Sequence, residues 1–523
     1  MTAEWQRLSP RIIWVDLVIS VLALLPALVA IVVFDVEAGA GQLWPLIGLA
    51  AFGVFGALAD IVRWAVTRFR VSPRHVELKT GLFVRKHRSV QRDRIRSVDI
   101  EAKLRHRVAR LRVVAIGAGQ QSAAGESAFS LDALGREDAL ELQQRLLNDA
   151  PVTVTEEDPA PAPAGEAPRR VLARFEPSWF IYNMFSIWAY VMALGVLWGG
   201  LWALSTVGVD LVGFVMSAAD WEALGVPATV AIAVVAVGAF GAVGLGVNYF
   251  IENWGFELDR VPSREGTMLR TRKGLFTTRE VNRDENRLRG VAITEPVLWR
   301  WMGVSDTHVI TTGLDAWSFA DPAAVLPRGP VARARAVAGE VLGGFGGAGG
   351  DANPMTLRLR RHPIRALRRR LVWATVVALA VLTVGVLLKS ALEPVVELAW
   401  LDWTLVFGTT AGVWVLGLLL AAAGYRALGH RLTDDYLITR SGALNRTTAV
   451  LQRSAVSTIM IRESLFQRRL KLRTVAAMTA AGDGRYDAVD VDAGDSLDLA
   501  RQSAPGLLEP FLEPTALAAG RRA

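Results

Sequence analysis

The stretch Gly81–Ile100 reads "GLFVRKHRSVQRDRIRSVDI", and it recurs as "GLFTTREVNRDENRLRGVAI" from Gly274 and as "GALNRTTAVLQRSAVSTIMI" from Gly442. Each copy places an apolar residue 14, 17 and 19 positions after its glycine. These residues are Ile95, Val98 and Ile100 in the first copy, Leu288, Val291 and Ile293 in the second, and Val456, Ile459 and Ile461 in the third. The matched spacing indicates that the chain contains three copies of one structural unit.

The hydrophobic pattern within a copy predicts an antiparallel β unit that ends in a helix. Val76 and Leu78 alternate with polar residues before Gly81, whose freedom at positive φ suits a tight turn. Residues 111–117 form another predicted strand, and residues 135–149 have the apolar spacing of an amphipathic helix.

Six long apolar segments occur in pairs, and one pair precedes each copy. Each segment is close to or longer than the roughly 18–20 residues that cross a bilayer. The segments lie at residues 12–34, 44–66, 179–207, 226–251, 371–388 and 403–427. We predict that each pair forms a helical hairpin, because a helix satisfies its own backbone groups in lipid.

The charges of the loops predict the orientation of these hairpins. The three short connectors, 35–43, 208–225 and 389–402, contain one basic residue, Lys389, and eight acidic residues. Nearly all of the other Lys and Arg residues lie on the opposite side of the spans. By the positive-inside rule, the repeated units and both termini are predicted to be cytoplasmic, and the chain to be a multi-pass membrane protein.

Composition shifts divide the chain further. A Pro/Ala-rich segment, "EEDPAPAPAGEAPRR", and a glycine-rich segment, "VLGGFGGAGGDANP", read as linkers. The predicted segments are 1–66 (juxtamembrane segment and hairpin 1), 67–150 (domain 1), 151–178 (linker), 179–251 (hairpin 2), 252–343 (domain 2), 344–370 (linker and basic juxtamembrane segment), 371–427 (hairpin 3), 428–515 (domain 3) and 516–523 (tail).

The module "TGLF…RIRSVDI…L…L" at residues 79–111, its place after a two-helix hairpin and its threefold repetition resemble the membrane-anchored bacterial proteins with pleckstrin-homology-like (PH-like) domains, often called YdbS-like or YdbT-like. The resemblance covers essentially the whole chain. It implies a mixed membrane protein with six transmembrane helices in three hairpins, each followed by a PH-like antiparallel β-barrel or sandwich capped by a C-terminal helix. It implies no catalytic residues. The second copy departs from the first, since its "EPVLWRWMGV" is aromatic where the first is basic.

The motifs of common active sites are missing from the sequence. The chain has no cysteine, and its six histidines form no HExxH pair or other metal-binding spacing. There is no GxSxG elbow, and the glycine run at 343–350 lacks the GK[ST] of a phosphate-binding loop. We therefore expect a protein that is not an enzyme and has no catalytic residue, metal site or cofactor.

Polar residues near the predicted spans leave one alternative function open. Asp16, Asp60, Arg63, Asn183 and Asn248 lie close to span ends, where a charge can reach the interface or find a partner. The alternative is a transport or lipid-moving membrane component, in which Asp16 and Asp60 would be essential.

Basic clusters give the leading functional hypothesis. Arg70–Arg112 contains 14 Lys and Arg against 4 Asp and Glu, and seven arginines lie within Arg358–Arg370. Such clusters bind anionic headgroups, although they also serve to orient the helices. Nucleic acid is not expected as a partner, because no aromatic residues interleave with the charges. We expect a membrane scaffold that engages anionic lipid headgroups or a protein partner, through Arg85, Lys86, Arg88, Arg358, Arg360, Arg361 and Arg446.

Overall fold

The structure is a computed structural model. It describes residues 4–22, 25, 32, 44–82, 84–92, 95–118, 129–148, 169–186, 188–206, 210–218, 220–263, 266–312, 323–343, 353–392 and 402–508. Contacts divide the chain into two compact units, residues 1–286 with 317–322 and residues 287–316 with 323–523. The division falls inside the second copy, while the nine segments predicted from the sequence stay predictions.

Among the described residues, four helices are long and apolar enough to cross a membrane: Trp188–Ser205, Trp221–Asn253, Arg365–Ala391 and Trp403–Ala427. These four helices indicate a membrane protein. Two further helices, Arg11–Leu22 and Trp44–Val66, lie in the first predicted hairpin. Most of residues 23–43, which would complete that hairpin, lie outside the described part of the chain.

Small residues bring the apolar helices together in the second and third pairs. In the first unit, a Cβ added to Gly241 would lie 1.9 Å from the carbonyl oxygen of Ala189, so the helix Trp188–Thr206 touches the backbone of the helix Trp221–Asn253 there. In the second unit, a Cβ added to Gly417 would lie 3.1 Å from that of Ala374. This close approach is typical of helix pairs in lipid, where association depends on packing.

The helices differ from two of the predicted spans. The third predicted span, 179–207, is interrupted, because the helix Phe180–Met184 ends before the helix Trp188–Thr206 begins. The fourth, 226–251, is confirmed at its start: Asp220 caps only the turn before Gly225, whose φ of +72° breaks the helix Trp221–Asn253 there. The fifth, 371–388, begins at Arg365 and includes most of the basic cluster in its first turns.

The first unit contains eleven described strands in two antiparallel sheets. The strands are β1 (Gln6–Arg7), β2 (Arg68–Val71), β3 (His75–Thr80), β4 (Lys86–Gln91), β5 (Ile95–Ala102), β6 (Leu111–Ala118), β7 (Phe129–Gly135), β8 (Arg170–Arg174), β9 (Glu257–Ser263), β10 (Gly266–Lys273) and β11 (Thr278–Asp284). Their orders are β1-β2-β3-β4 and β7-β6-β5-β11-β10-β9-β8. The helices Leu104–Val108, Arg136–Asn148, Phe180–Met184 and Leu211–Ser217 complete the unit.

The second unit contains nine described strands, also in two antiparallel sheets. The strands are β12 (Leu288–Pro296), β13 (Val304–Thr311), β14 (Ala324–Pro330), β15 (Gly429–Leu432), β16 (Tyr436–Ser441), β17 (Asn445–Gln452), β18 (Thr458–Arg462), β19 (Leu472–Met478) and β20 (Arg485–Asp492). Their orders are β14-β13-β12-β17-β16-β15 and β18-β19-β20. The short helices are Val297–Trp301, Val331–Gly343, Leu465–Arg469 and Ala493–Ser503.

The larger sheets join consecutive copies, which the sequence did not predict. β5 of the first copy pairs with β11 of the second, and β12 of the second pairs with β17 of the third. Each copy therefore gives its first strands to one sheet and its last three strands to another. The pairing is favourable because the outer N–H and C=O groups of each strand would otherwise have no hydrogen-bond partners on a neighbouring strand.

The motifs that precede the hairpins become strands of the copies that follow. β1 pairs with β2 across the first hairpin, and β8 pairs with β9 across the second. In the third copy the same place has one bridge between Arg360 and His430. Each apolar pair is thus held at its base by backbone hydrogen bonds between the segments on either side of it.

The first and third copies each enclose a hydrophobic core. In the first, Val76 and Leu78 of β3 pack with Val98 of β5 and Ile116 of β6, and Leu142 of the helix Arg136–Asn148 covers them. In the third, the core consists of residues from β16, β17, β19, β20 and the helix Ala493–Ser503, including Leu437, Leu451, Val475, Val491 and Leu499. The predicted closing helix therefore packs onto the sheets in both copies.

Candidate functional site

The basic segment before the third hairpin lies against acidic residues of the third copy. Arg360 Nη2 lies 2.7 Å from Asp495 Oδ2, and Arg365 pairs with Asp492. Arg369 and Arg370 both reach Asp490, at 2.8 Å and 3.3 Å. Four of the seven arginines in Arg358–Arg370 therefore fasten the hairpin to the last strand and helix of its own copy.

Asp490 is the most deeply buried of these acids. Its side chain has 0% exposure, and its Oδ1 accepts a 2.9 Å hydrogen bond from Gln467 Nε2. Burying a carboxylate is costly unless charged donors surround it, and the two arginines meet that need. The backbone of Asp490 has φ of +63°, an uncommon value for a residue other than glycine.

Beside these pairs lies an open cleft of about 600 Å³, the juxtamembrane cleft. Its lining is Arg358, Leu359, Arg360, His430, Arg431, Leu432, Asp495, Asp498, Leu499 and Gln502. The segment with Arg358 and Arg360 precedes the helix Arg365–Leu392, and β15 follows the helix Trp403–Ala427, so the cleft lies where both ends of the hairpin meet.

The juxtamembrane cleft is suited to an anion. Arg358, Arg360 and Arg431 are exposed, and Arg431 Nη1 donates a 2.9 Å hydrogen bond to the carbonyl oxygen of Arg358. Three guanidinium groups outnumber the two carboxylates of Asp495 and Asp498. Guanidinium groups bind phosphate and carboxylate through paired hydrogen bonds, and an exposed ion pair such as Arg360–Asp495 is weak enough to rearrange.

Two buried histidines, His362 and His430, are hydrogen-bonded to each other, and His430 lines the cleft. His362 Nδ1 donates to the carbonyl oxygen of Val489 at 2.7 Å, so its Nε2 accepts the 2.8 Å hydrogen bond from His430 Nδ1. Burial lowers the pKa of His362, and it lowers the pKa of His430 to about 4 with a further contribution from His362. Burial therefore disfavours a charge on either ring, and the uncharged pair keeps both hydrogen bonds.

The predicted contacts of the first copy lie on β4. Lys86 and Arg88 are exposed on this strand, and Arg85 is exposed just before it. Trp5 supports the neighbouring strand, because Lys79 Nζ lies 4.1 Å from the centre of its ring. These three cations belong to the first unit, whereas Arg358, Arg360 and Arg361 belong to the second.

Arg446, the last predicted contact, lies inside the β12–β17 junction. It faces Glu295 across the strands and forms an ion pair with it, and only 4% of the Glu295 side chain is exposed. Arg335 Nη2 reaches the same carboxylate at 3.6 Å. The structure therefore places Arg446 in a contact between copies.

Other polar residues singled out in the sequence have local roles where the structure describes them. Arg63 Nη2 lies 2.5 Å from Asp132 Oδ2 of β7. Asn183 Nδ2 donates to the carbonyl oxygen of Leu245 at 3.4 Å. The side chains of Asp16 and Asp60 lie outside the described residues. Among the described residues, no three His, Asp or Glu side chains are placed to hold a metal ion.

Sequence reasoning missed the acids that neutralise the basic segment. They lie more than 100 positions along the chain, in the run "DAVDVDAGD" from Asp487. One signal was present: Asp490 and Asp492 are two positions apart, and Asp495 follows in the closing helix. Only the fold shows that they meet the arginines.

Comparison with known proteins agrees with this architecture. The profile of the bacterial PH domain family matches residues 17–150 and 371–504, which include the first and third repeats with most of the preceding hairpins. Each match has 134 residues, and the two together cover 268 of 523. Searches of curated proteins and of solved structures found no match. The resemblance to PH-like proteins is thus confirmed for two copies, and the chain belongs to the bacterial PH domain family.

Proposed function

We propose that this chain is a non-enzymatic membrane scaffold whose PH-like copies engage anionic lipid headgroups at the cytoplasmic face of a bacterial inner membrane. In this proposal the middle segment is a third PH-like domain of the YdbS/YdbT type. Its support is the order of elements, since β9–β11, β12, a short helix, β13, β14 and the helix Val331–Gly343 follow the same sequence as the first and third copies.

Six spans and cytoplasmic termini belong to the same proposal. The helices Arg11–Leu22 and Trp44–Val66 would form the first hairpin, and the four apolar helices would form the second and third. The acidic connectors and basic domains support the orientation. The N- and C-terminal segments would then lie on the side of the domains.

The observation that carries the proposal is the juxtamembrane cleft. It gathers Arg358, Arg360 and Arg431 at the base of a membrane hairpin, where an anionic headgroup in the adjacent leaflet is within reach. Each such cation contributes about 1 kcal/mol of attraction near an anionic surface. Arg361 is exposed directly beside this segment and would add to the attraction.

The test compares lipid selection by the full chain in nanodiscs. Phosphatidylglycerol and phosphatidylcholine retained after extraction are counted by native mass spectrometry for the parent chain and for Arg358→Gln/Arg360→Gln. We expect the preference for phosphatidylglycerol to fall by about tenfold, because two cations are removed.

The matched control is Arg468→Gln/Arg469→Gln. Both residues are exposed on the helix Leu465–Arg469, whose Phe466 packs edge-on against Trp373 of the apolar helix, so they also lie close to the hairpin. An unchanged lipid ratio in the cleft variant, or an equal loss in the control, would contradict recognition by the cleft. If neither the parent chain nor the cleft variant prefers phosphatidylglycerol, the lipid proposal is wrong and a protein partner becomes the next hypothesis.

A further inference from the structure

The two junctions between copies use one register. Arg279 is 5 positions after Gly274 and faces Glu101, which is 20 positions after Gly81. Arg446 is 4 positions after Gly442 and faces Glu295, which is 21 positions after Gly274. Counted from their own glycines, facing positions total 25 at both junctions. Consecutive copies therefore pair in the same register at both junctions.

Both junctions also carry a facing Arg–Glu pair, at neighbouring positions of the shared register. Arg279 Nε lies 3.6 Å from Glu101 Oε1, and Arg446 pairs with Glu295. The later copy supplies the arginine, near the start of β11 or β17. The earlier copy supplies the glutamate, near the end of the facing strand, β5 or β12. Opposite charges directly across an antiparallel pair stabilise the register.

Two strands at the corresponding positions take no part in this pairing between copies. β4 corresponds to β11 and β17, and β18 corresponds to β5 and β12; within the described chain, β4 and β18 are edge strands of their sheets. Their exposure fits this role. Ile461 of β18 is 38% exposed, whereas its counterparts Ile100 and Ile293 are 7% and 2% exposed. Such edges pair readily with another strand.

We propose that β18 of one chain pairs with β4 of a second copy of this chain, so that copies assemble head to tail. The inherited register places Arg85 opposite Glu463, His87 opposite Ile461 and Val90 opposite Thr458. Glu463 already lies 3.5 Å from Arg473, and it would serve two arginines, as Glu295 serves Arg446 and Arg335.

Because the two contacting edges differ, the contact is heterologous, and chains joined by it form a closed ring or an open filament. The same register sets Lys86 opposite Arg462, a like-charged pair where the first junction has Arg279 opposite Glu101. This pair limits the strength of the contact and gives the test a variant that strengthens it.

The test uses the full chain in intact membranes, which has no cysteine of its own. Two copies with different tags carry His87→Cys and Ile461→Cys. Facing residues in an antiparallel pair have Cα atoms about 4.5–5.5 Å apart, within the range of about 4.4–6.8 Å that a disulfide bridges. Mild oxidation should therefore give a product that contains both tags.

The register control replaces Ile461→Cys by Thr458→Cys. This position is on the same strand but about 10 Å along it and on the opposite face, so we expect little product. Arg85→Glu should lower the main product by about threefold to fivefold, and Glu463→Arg in the other copy should restore it. Arg462→Glu should raise the product, because it gives Lys86 an acidic partner.

Three results would overturn the proposal. They are no mixed product when both copies are in the membrane fraction, equal products from positions 461 and 458, and a loss in Arg85→Glu that Glu463→Arg does not restore. The last result would assign Arg85 to lipid contact. Restoration by the charge swap separates this inference from the lipid proposal, which predicts no recovery.

Discussion

Nη2 of Arg369 lies 2.8 Å from Oδ2 of Asp490, and the carboxylate is wholly enclosed. The arginine belongs to the first turns of an apolar helix, and the aspartate lies at an irregularity in the pairing of β20, the last strand of the third copy. Arg370 approaches the same oxygen at 3.3 Å. A single buried carboxylate thus joins a hairpin to the domain that follows it, and this contact is made inside one unit.

Removing that carboxylate should destabilise the third copy strongly. Asp490→Ala leaves two arginines near a buried site without their acid, and breaking a buried pair in this way costs about 3–5 kcal/mol. Denaturant unfolding of the full chain in detergent measures the loss. The control is Asp498→Ala, an exposed acid on the helix Ala493–Ser503, which should have little effect. Equal stability of Asp490→Ala and the parent chain would show that the network contributes nothing.

A second substitution tests the junction between the second and third copies. A Cβ at Gly290 would lie 2.0 Å from the carbonyl oxygen of Val450, so Gly290→Ala must push β12 away from β17. We expect a loss of about 1–3 kcal/mol, as for other overpacked interiors, and faster amide exchange in both strands. Gly343→Ala is the control, since no atom lies within 4 Å of its added Cβ. Unchanged exchange in β17 would argue against close pairing.

Asp99 should make the first unit less stable as pH rises. Burial raises its pKa to about 6, against the opposing charges of Arg279 and Arg283, and its Oδ1 has no hydrogen-bond partner among the described residues. The folded state then holds a proton that the unfolded state releases, so stability falls between about pH 4 and 6. Asp99→Asn should add about 1–2 kcal/mol at pH 7.5 and flatten this dependence.

Denaturant midpoints measured from pH 4 to 7.5 check that dependence, with Asp138→Asn as an exposed control in the same unit. A midpoint for Asp99→Asn that is lower than that of the parent chain at pH 7.5 would show that the ionised carboxylate is stabilised by its arginine neighbours.

The His362–His430 pair should make the third copy more stable as pH rises, which is the opposite of the effect of Asp99. Burial lowers the pKa of both rings, and that of His430 falls to about 4. The unfolded state therefore takes up protons first, and the contribution is complete above about pH 6.5 and lost as pH falls toward 4. We expect the third copy to lose about 2 kcal/mol by pH 5.

Hydrogen exchange at β15 and β20, recorded at pH 7.5 and pH 5 with correction for intrinsic rates, measures this loss. His362→Gln should reduce the pH dependence, whereas His87→Gln, on exposed β4, should leave it unchanged. Protection that is equal at both pH values in the parent chain would rule out proton uptake by the pair.

The sequence predicted local features well where they depend on near neighbours. Alternation around Gly81 predicted β3, and apolar spacing at 135–149 predicted the helix Arg136–Asn148. The sixth span, 403–427, begins and ends where predicted. The predicted start of the fifth span is six residues too late. The helix includes Arg365, Arg369 and Arg370, whose charges are paired with acids that lie far along the chain.

The predicted contacts show the same division. Arg446 lies on the hairpin of the third copy that corresponds to the hairpin of Arg85, Lys86 and Arg88, yet its surroundings differ from theirs. Arg446 faces Glu295 of the preceding copy, whereas β4, the corresponding strand of the first copy, is an edge strand among the described residues. The same strand is consequently an inner strand in one place and an edge in another.

By itself the sequence determined the repeat, the apolar helices, the order of strands within a copy and the segregation of charge, because each follows from residues close together in the chain. Tertiary structure decided that the sheets run from copy to copy, that four arginines are bound by acids of the third copy, and that β4 and β18 lie at sheet edges while their counterparts in the other copies are inner strands. Those features depend on backbone hydrogen bonds and ion pairs between residues about 100 or more positions apart, and spacing along a chain does not specify them.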